Sequence, residues 1–253
     1  YTGFQDAYDI VINGLRRLEY RGYDSAGIVL EDKNNSFEVK KTKGKVSDLV
    51  EISENLKATS HVGMGHTRWA THGVPSDRNS HPHVSNDGKI ALVHNGIIEN
   101  YDTIKTMLIG KGFTFSSETD TEVLVNLIQY ILDTQKINFS EAVRYALNEV
   151  YGAYAITVMH KDYPGVLVVG RLGSPLAIGL GDKEYFIASD ASPFVEFTKE
   201  AVYLEDGHMA TISLEKGVEI RSIKENEIIE PAIQELKLSL EQIEKGGYEH
   251  FML

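Results

Sequence analysis

The chain has 253 residues, 42% of them hydrophobic, which is enough to bury the core of one large domain or two small ones. Its formal net charge of -12 argues against nucleic acid or an anionic membrane as a partner, because both would repel it. The absence of cysteine excludes disulfides, thiolate metal sites and a thiol nucleophile within these residues. Without a long apolar run or a signal peptide, the chain is expected to be cytoplasmic.

The first half of the chain predicts helices and strands in blocks. Apolar residues at intervals of three and four before Gly22 indicate an amphipathic first helix. The helices predicted in this half span 7–20, 46–56 and 101–108, and the strands span 26–30, 37–41, 62–67 and 90–94.

Two long helices are predicted next, from about Thr121 to Asp133 and from Ser140 to Val150, with Ser140 as the N-cap of the second. A meander of short antiparallel strands should then cover 154–159, 166–171, 176–180, 185–189, 202–204, 209–213 and 218–222. Grouping of helices and strands in blocks favours an α+β fold with antiparallel sheets. We predict a domain at 1–222 and a connector at 223–253 that contains a helix from about Ile233 to Lys245.

The run from Gly65 to Gly73 is the most informative polar segment. It places Arg68, Trp69, Thr71 and His72 in a short stretch between glycines, which is unlike a core strand and suits the binding of a small polar anion. A solvated turn is the alternative interpretation of this stretch.

Two more motifs lie downstream. Asn95-Gly96 follows a predicted strand and is either an ordinary turn or a pair of donors for an oxyanion. Before the helix at Thr121, Thr119 and Glu122 can form a capping box. That box leaves the carboxylate of Asp120 available for a substrate ammonium.

These motifs, with Arg16 to Gly27 and His81-Pro82-His83, resemble one family over nearly the whole chain. It is the glutaminase domain of glutamine:fructose-6-phosphate aminotransferases, also called glucosamine-6-phosphate synthases. The resemblance implies an N-terminal-nucleophile hydrolase fold, a four-layer αββα sandwich that hydrolyses L-glutamine to glutamate and ammonia. Its nucleophile would be an N-terminal Cys about five residues upstream of Tyr1, so that the chain as given should be inactive.

The resemblance also implies roles for individual residues. Asn95 and the Gly96 N–H would form the oxyanion hole, and Asp120 would bind the α-ammonium of glutamine. The α-carboxylate would be bound by Arg68, Thr71 and His72. Trp69 would act as a lid, His81 would support the pocket, and Arg21 would lie near the nucleophile or pair with Asp24.

By the same resemblance, released ammonia would pass to a C-terminal sugar isomerase domain of the same polypeptide, where it would aminate fructose 6-phosphate. That domain would also carry the contacts of a homo-oligomer. Neither a cofactor nor a metal is implied.

Three alternatives remain open. Six of the nine histidines lie between His61 and His94, which suggests a metal-dependent hydrolase, although no His-Glu-x-x-His motif is present. A non-catalytic glutamine-binding regulatory module would need the same binding residues. Amidophosphoribosyltransferases and asparagine synthetases carry similar glutaminase domains, but the runs 66–73 and 117–122 are more similar to the fructose-6-phosphate enzymes.

Overall fold

The structure is a computed structural model that describes residues 1–57, 60–69 and 73–237. Its α-helices in these ranges are α1 Ala7–Leu18, α2 Val46–Ser53, α3 Tyr101–Gly110, α4 Asp120–Thr134 and α5 Phe139–Glu149. Its strands are β1 Ser25–Glu31, β2 Phe37–Lys43, β3 Val62–Arg68, β4 His83–Val84, β5 Ile90–Ile98, β6 Gly152–His160, β7 Leu167–Leu172, β8 Ala177–Gly181, β9 Glu184–Ala188, β10 Glu200–Tyr203, β11 His208–Ser213, β12 Gly217–Ser222, β13 Ile228–Ile229 and β14 Ile233–Glu235.

The strands form two antiparallel layers. The first sheet has two parts, ordered β2-β1-β3 and β14-β10-β8-β9, and Thr2 joins them by bridging Val62 of β3 and Tyr185 of β9. The second sheet is ordered β13-β12-β11-β7-β6-β5-β4. Every strand pair in both sheets is antiparallel.

Three hydrophobic clusters separate four layers. One lies between the two sheets and includes Met64 from the first sheet and Val93 from the second. A second packs α1 and α2 on the outer face of the first sheet, and a third packs α3, α4 and α5 on the outer face of the second. The predicted αββα arrangement of antiparallel sheets is therefore confirmed.

The helices begin where the sequence supplies caps. The Asp6 side chain accepts a hydrogen bond from the Tyr8 N–H at the start of α1, and Thr119 accepts one from the Glu122 N–H at the start of α4. The predicted cap Ser140 is wrong, because Asn138 accepts from the Glu141 N–H and α5 begins at Phe139. The Ser140 hydroxyl instead bonds to that of Thr211, 2.6 Å away.

The second half of the capping box predicted for α4 is also wrong. The Glu122 carboxylate accepts hydrogen bonds from the backbone N–H groups of Ser116 and Ser117, at 2.8 and 2.6 Å. Glu122 therefore fixes the loop before the helix, while the Thr119 N–H is bonded by the Ser117 hydroxyl at 3.3 Å.

The predicted meander is wrong as a single sheet. The strands β6, β7, β11 and β12 lie in the second sheet, whereas β8, β9 and β10 between them lie in the first. Local turns in the sequence mark where strands end but do not specify which sheet each strand joins. The chain therefore crosses twice between the layers in this region.

The predicted final helix starts in a region that is extended. Residues 233–235 form β14, which pairs with β10, and β13 pairs with β12. The rest of the predicted helix, from residue 238, lies outside the described residues. The domain boundary at 222 stays a prediction, although 228–229 and 233–235 are strands of the two sheets.

Candidate active site

A cavity of about 360 Å³ opens beside the ends of β3, β5 and β9 and the start of α4. The described residues predicted to form the site all line it: Arg21, Arg68, Trp69, His81, Asn95, Gly96 and Asp120. Thr71 and His72 lie outside the described residues.

Asp120 supplies a buried negative charge at the start of α4. Asp120 lines the cavity, and only 4% of the residue is exposed. One carboxylate oxygen, Oδ2, accepts a hydrogen bond from the Ile98 N–H at 2.8 Å, which fixes the orientation of the side chain. A carboxylate held in this way is a suitable partner for an ammonium group.

Arg68 supplies a buried positive charge at the end of β3, also with 4% of the residue exposed. Burial lowers the pKa of Arg68, while the negative charges of Asp120 and Asp24 act in the opposite direction. The cavity thus contains a guanidinium and a carboxylate in a partly dry environment. This charge pattern matches the two ends of an α-amino acid zwitterion.

Asn95 and Gly96 lie within β5, which continues to Ile98. The alternative interpretation of this pair as an ordinary turn is therefore wrong. A side chain at Gly96 is excluded, because its φ is +134° and a Cβ would lie 2.0 Å from the Ala153 carbonyl oxygen. Close pairing with β6 thus requires glycine here.

The ladder also indicates where the Gly96 N–H points. The Glu99 N–H donates to the Tyr151 carbonyl on the β6 side. Because such hydrogen-bonded pairs alternate in antiparallel strands, the backbone groups of Ile97 and Asn95 face β6, and the Gly96 N–H faces away from it. On that side β4 pairs only with Ala91 and Leu92, so Gly96 borders the cavity.

Three histidines, His66, His81 and His94, also line the cavity. His66 Nε2 lies 2.8 Å from Asn95 Oδ1, and His81 Nε2 lies 2.8 Å from Thr121 Oγ1. Thr121 Oγ1 is also 3.1 Å from His94 Nδ1. Burial lowers the pKa of His66 to about 4 and that of His81 well below its ordinary value. The rings of His66 and His81 are therefore neutral at physiological pH.

No individual role in glutamine binding or hydrolysis was predicted for His66, His94 or Thr121. A signal for His66 was available, because alternate residues of a strand share a face and His66 is two residues before Arg68. His94 and Thr121 carried no comparable signal. Each is adjacent in sequence to a predicted site residue, but only the fold brings their side chains together.

Trp69 and Arg21 lie at the cavity mouth. Trp69 is 61% exposed and contacts the ring of Tyr23 edge-on, with 5.6 Å between ring centroids. Arg21 forms an ion pair of 2.9 Å with Asp190. Its guanidinium is held beside β9 in this way.

Two features of the described residues concern metal binding and membrane insertion. Among the residues in 1–57, 60–69 and 73–237, no group of three or more His, Asp or Glu side chains is arranged to hold a metal ion. None of the helices in the same ranges is both long enough and apolar enough to cross a bilayer.

Comparison with known proteins identifies the family. The model of the glutamine amidotransferase domain matches residues 26–238. The chain belongs to the glutamine amidotransferase family. This amidotransferase domain is 50% identical over its full length to the glutamine--fructose-6-phosphate aminotransferase (isomerizing) of Bacteroides thetaiotaomicron, and 51% identical to the protein of that name from Chlorobaculum tepidum. The domain spans 41% of the length of each, so these relatives contain further sequence.

Solved structures agree with this assignment. The glutamine phosphoribosylpyrophosphate amidotransferase of B. subtilis matches 89% of this amidotransferase domain with a TM-score of 0.74 and 29% identity, over 48% of that chain. A structure described as the allosteric regulatory enzyme of purine biosynthesis matches the same share with a TM-score of 0.75 and 29% identity. The predicted N-terminal-nucleophile hydrolase sandwich is confirmed.

Proposed function

We propose that this domain binds L-glutamine and hydrolyses its side-chain amide to glutamate and ammonia. The observation that carries the proposal is that buried Arg68 and Asp120 line one cavity with Asn95. The two opposite charges can bind the α-carboxylate and the α-ammonium of an amino acid. The side-chain amide of Asn95 in the same cavity can donate a hydrogen bond to the oxygen of the reacting carboxamide.

The binding step assigns one role to each charged group. Arg68 donates to the α-carboxylate, and Asp120 accepts from the α-ammonium. Thr71 and His72 add donors to the carboxylate, while His81 supports the pocket through its hydrogen bond to Thr121. Trp69 covers the mouth as a lid, because its exposed ring lies next to the cavity. Arg21, held by Asp190, lies near the nucleophile.

The proposed nucleophile is an N-terminal Cys on residues that precede Tyr1 in the whole protein. Thr2 pairs antiparallel with Val62, so each step back along the chain advances one residue along β3. Arg68 lies six residues after Val62, so its partner in this register lies six residues before Thr2. That partner is five positions before Tyr1. A Cys at that position would lie opposite Arg68, between the edges of β3 and β9 that line the cavity.

The reaction proceeds through an acyl-enzyme. The α-amine of the Cys takes the thiol proton, and the thiolate attacks the carboxamide carbon. The Asn95 Nδ2 and the Gly96 N–H stabilise the resulting oxyanion. Collapse of the intermediate breaks the C–N bond, and the amine returns the proton to the departing ammonia. Water then hydrolyses the thioester to glutamate and restores the thiol.

For the whole protein we propose the activity that the relatives' name describes. Ammonia released here would aminate fructose 6-phosphate, giving glucosamine 6-phosphate, on a sugar isomerase domain C-terminal to this one. The 50% identity over the full chain supports this acceptor. Homo-oligomerisation through that domain and a cytoplasmic location stay predictions.

Turnover separates this proposal from its main alternative, a non-catalytic glutamine-binding module. Glutamate and ammonia are measured after glutamine is added to the full-length protein and to a variant with the N-terminal Cys replaced by Ser. We expect equimolar products from the first and more than about 100-fold slower release from the second. Glutamine binding without products from the unmodified protein would favour the regulatory module.

A further inference from the structure

We infer that His66 is a positioning residue that orients the side-chain amide of Asn95 so that its NH2 group faces the cavity. This inference rests on the proposed function, in which the Asn95 NH2 stabilises the oxyanion. His66 itself contacts neither the substrate nor the reacting atoms in this account. Its effect on the reaction passes entirely through Asn95.

The contact that carries the inference joins the two sheets. His66 lies on β3 of the first sheet and Asn95 lies on β5 of the second, with 2.8 Å between His66 Nε2 and Asn95 Oδ1. An amide oxygen can only accept, so the ring nitrogen is the donor. Because the oxygen and nitrogen of an amide lie on opposite sides of the same carbon, fixing Oδ1 also fixes the direction of Nδ2.

The His66 ring is itself held in place. Its centroid lies 4.3 Å from that of His81, and the two planes are inclined by 36°. His81 is buried and bonded to Thr121 at the start of α4, 2.8 Å away. Thr121 of α4 thus holds His81, and His81 in turn holds the ring of His66. The same helix carries Asp120.

Asn95 needs such a partner because its side chain is exposed. An exposed amide rotates freely and forms hydrogen bonds with water in either orientation. A donor that is already oriented does not need to reorganise when negative charge develops on the substrate oxygen. Loss of His66 should therefore slow the chemical step and leave glutamine binding by Arg68 and Asp120 nearly unchanged.

The test uses His66→Ala and His66→Gln in the full-length protein, with glutamate release as the assay. We expect His66→Ala to lower kcat about 10- to 100-fold, less than outright loss of the donor, with KM changed less than about 3-fold. His66→Gln can still donate to Asn95 Oδ1 and should keep kcat within about 5-fold of the unmodified protein.

The matched control is His160→Gln. His160 is a buried histidine that packs against Phe139 and Tyr163 and does not line the cavity. Its replacement should leave kcat within about 2-fold. A loss of kcat in His160→Gln equal to that in His66→Ala would mean that general loosening explains both results, and it would overturn the inference.

A double-mutant cycle gives the decisive result. If His66 acts through Asn95, adding His66→Ala to Asn95→Ala should change kcat by less than about 2-fold. Independent losses that multiply would overturn the positioning role, as would an unchanged kcat in His66→Ala. If Asn95→Ala alone leaves kcat unchanged, the oxyanion assignment of the proposed function fails, and the inference fails with it.

Discussion

Asn95 and Asp120 line the same cavity but act at different stages of the proposed reaction. Asp120 pairs with an ammonium that carries its charge before and after the chemical step. Asn95 donates to an oxygen that becomes negative only as the tetrahedral intermediate forms. Replacing the two residues should therefore alter different kinetic constants.

Replacing Asn95 with Ala should lower kcat by about 10²- to 10³-fold with little change in KM, because the donor acts on the transition state. Steady-state release of glutamate by the full-length protein measures this. Asn148→Ala on α5 is a control that removes an exposed asparagine outside the cavity. An effect of Asn95→Ala confined to KM would contradict the oxyanion role.

Replacing Asp120 with Ala should raise KM by about 30-fold or more, equivalent to about 2 kcal/mol or more, because a buried ammonium would lose its counter-charge. Direct titration of glutamine should show the same loss of affinity. Asp133→Ala removes an exposed carboxylate at the other end of α4 and should leave KM unchanged. Equal affinities for the two variants would refute the ammonium assignment.

At the scale of elements, the sequence predicted existence and type well where periodicity was strong. The positions of α1, α3 and α4 and most strands agree with the prediction to within a few residues. The failures lie where long-range strand pairing overrides the local sequence preference. Asn95-Gly96 has the composition of a turn, yet pairing with β6 keeps it extended, and residues 233–235 have helical spacing but pair with β10.

The loop before α4 gives a prediction about stability. The buried Glu122 carboxylate accepts four hydrogen bonds, from the N–H and hydroxyl groups of Ser116 and Ser117. Glu122→Ala should lower the free energy of unfolding by about 2–3 kcal/mol, because buried donors lose a charged partner. Urea denaturation measures the difference.

Glu141→Ala is the matched control for that measurement. Glu141 also lies in the first turn of a helix, but its carboxylate is partly exposed and pairs with Arg144. We expect a loss of less than about 1 kcal/mol for this variant. Comparable losses for the two glutamates would contradict the anchoring role of Glu122.

At the scale of the whole molecule, the grouping of predicted helices and strands into blocks along the chain predicted an antiparallel α+β protein. The resemblance of the motifs to a known family predicted the four layers. The placement of 177–203 in the first sheet, between strands of the second sheet along the chain, could not be predicted, because sheet membership depends on long-range pairing. The site was also predicted only in part. Arg68, Asn95 and Asp120 were predicted, but the contacts of the histidines with Asn95 and Thr121 depend on how the sheets and α4 pack together.

The buried histidines should make the fold sensitive to acid. Burial holds the pKa of His66 at about 4, and the pKa values of His81 and His83 are also depressed, so the folded state keeps these rings neutral. The unfolded chain takes up protons as pH falls below about 6.5. Stability should therefore be highest above that pH and decline toward pH 4, by up to about 1.4 kcal/mol per unit for each histidine.

Urea denaturation between pH 7.5 and 4.5 tests this expectation. The His83→Gln variant removes one buried ring that is bonded to Thr119, so its stability should depend less steeply on pH than that of the unmodified chain. Identical slopes for the two proteins would contradict the assignment of acid sensitivity to the buried histidines.

The central claim is that one cavity recognises both ends of glutamine and presents its carboxamide to Asn95 and Gly96. The most direct measurement is a crystal structure of the protein with L-glutamate, the proposed product, bound. We predict the α-carboxylate within hydrogen-bond distance of the Arg68 guanidinium, the α-ammonium at Asp120, and the side-chain carboxylate at Asn95. Glutamate bound at another surface, or bound in this cavity without contact to Arg68 and Asp120, would contradict the claim.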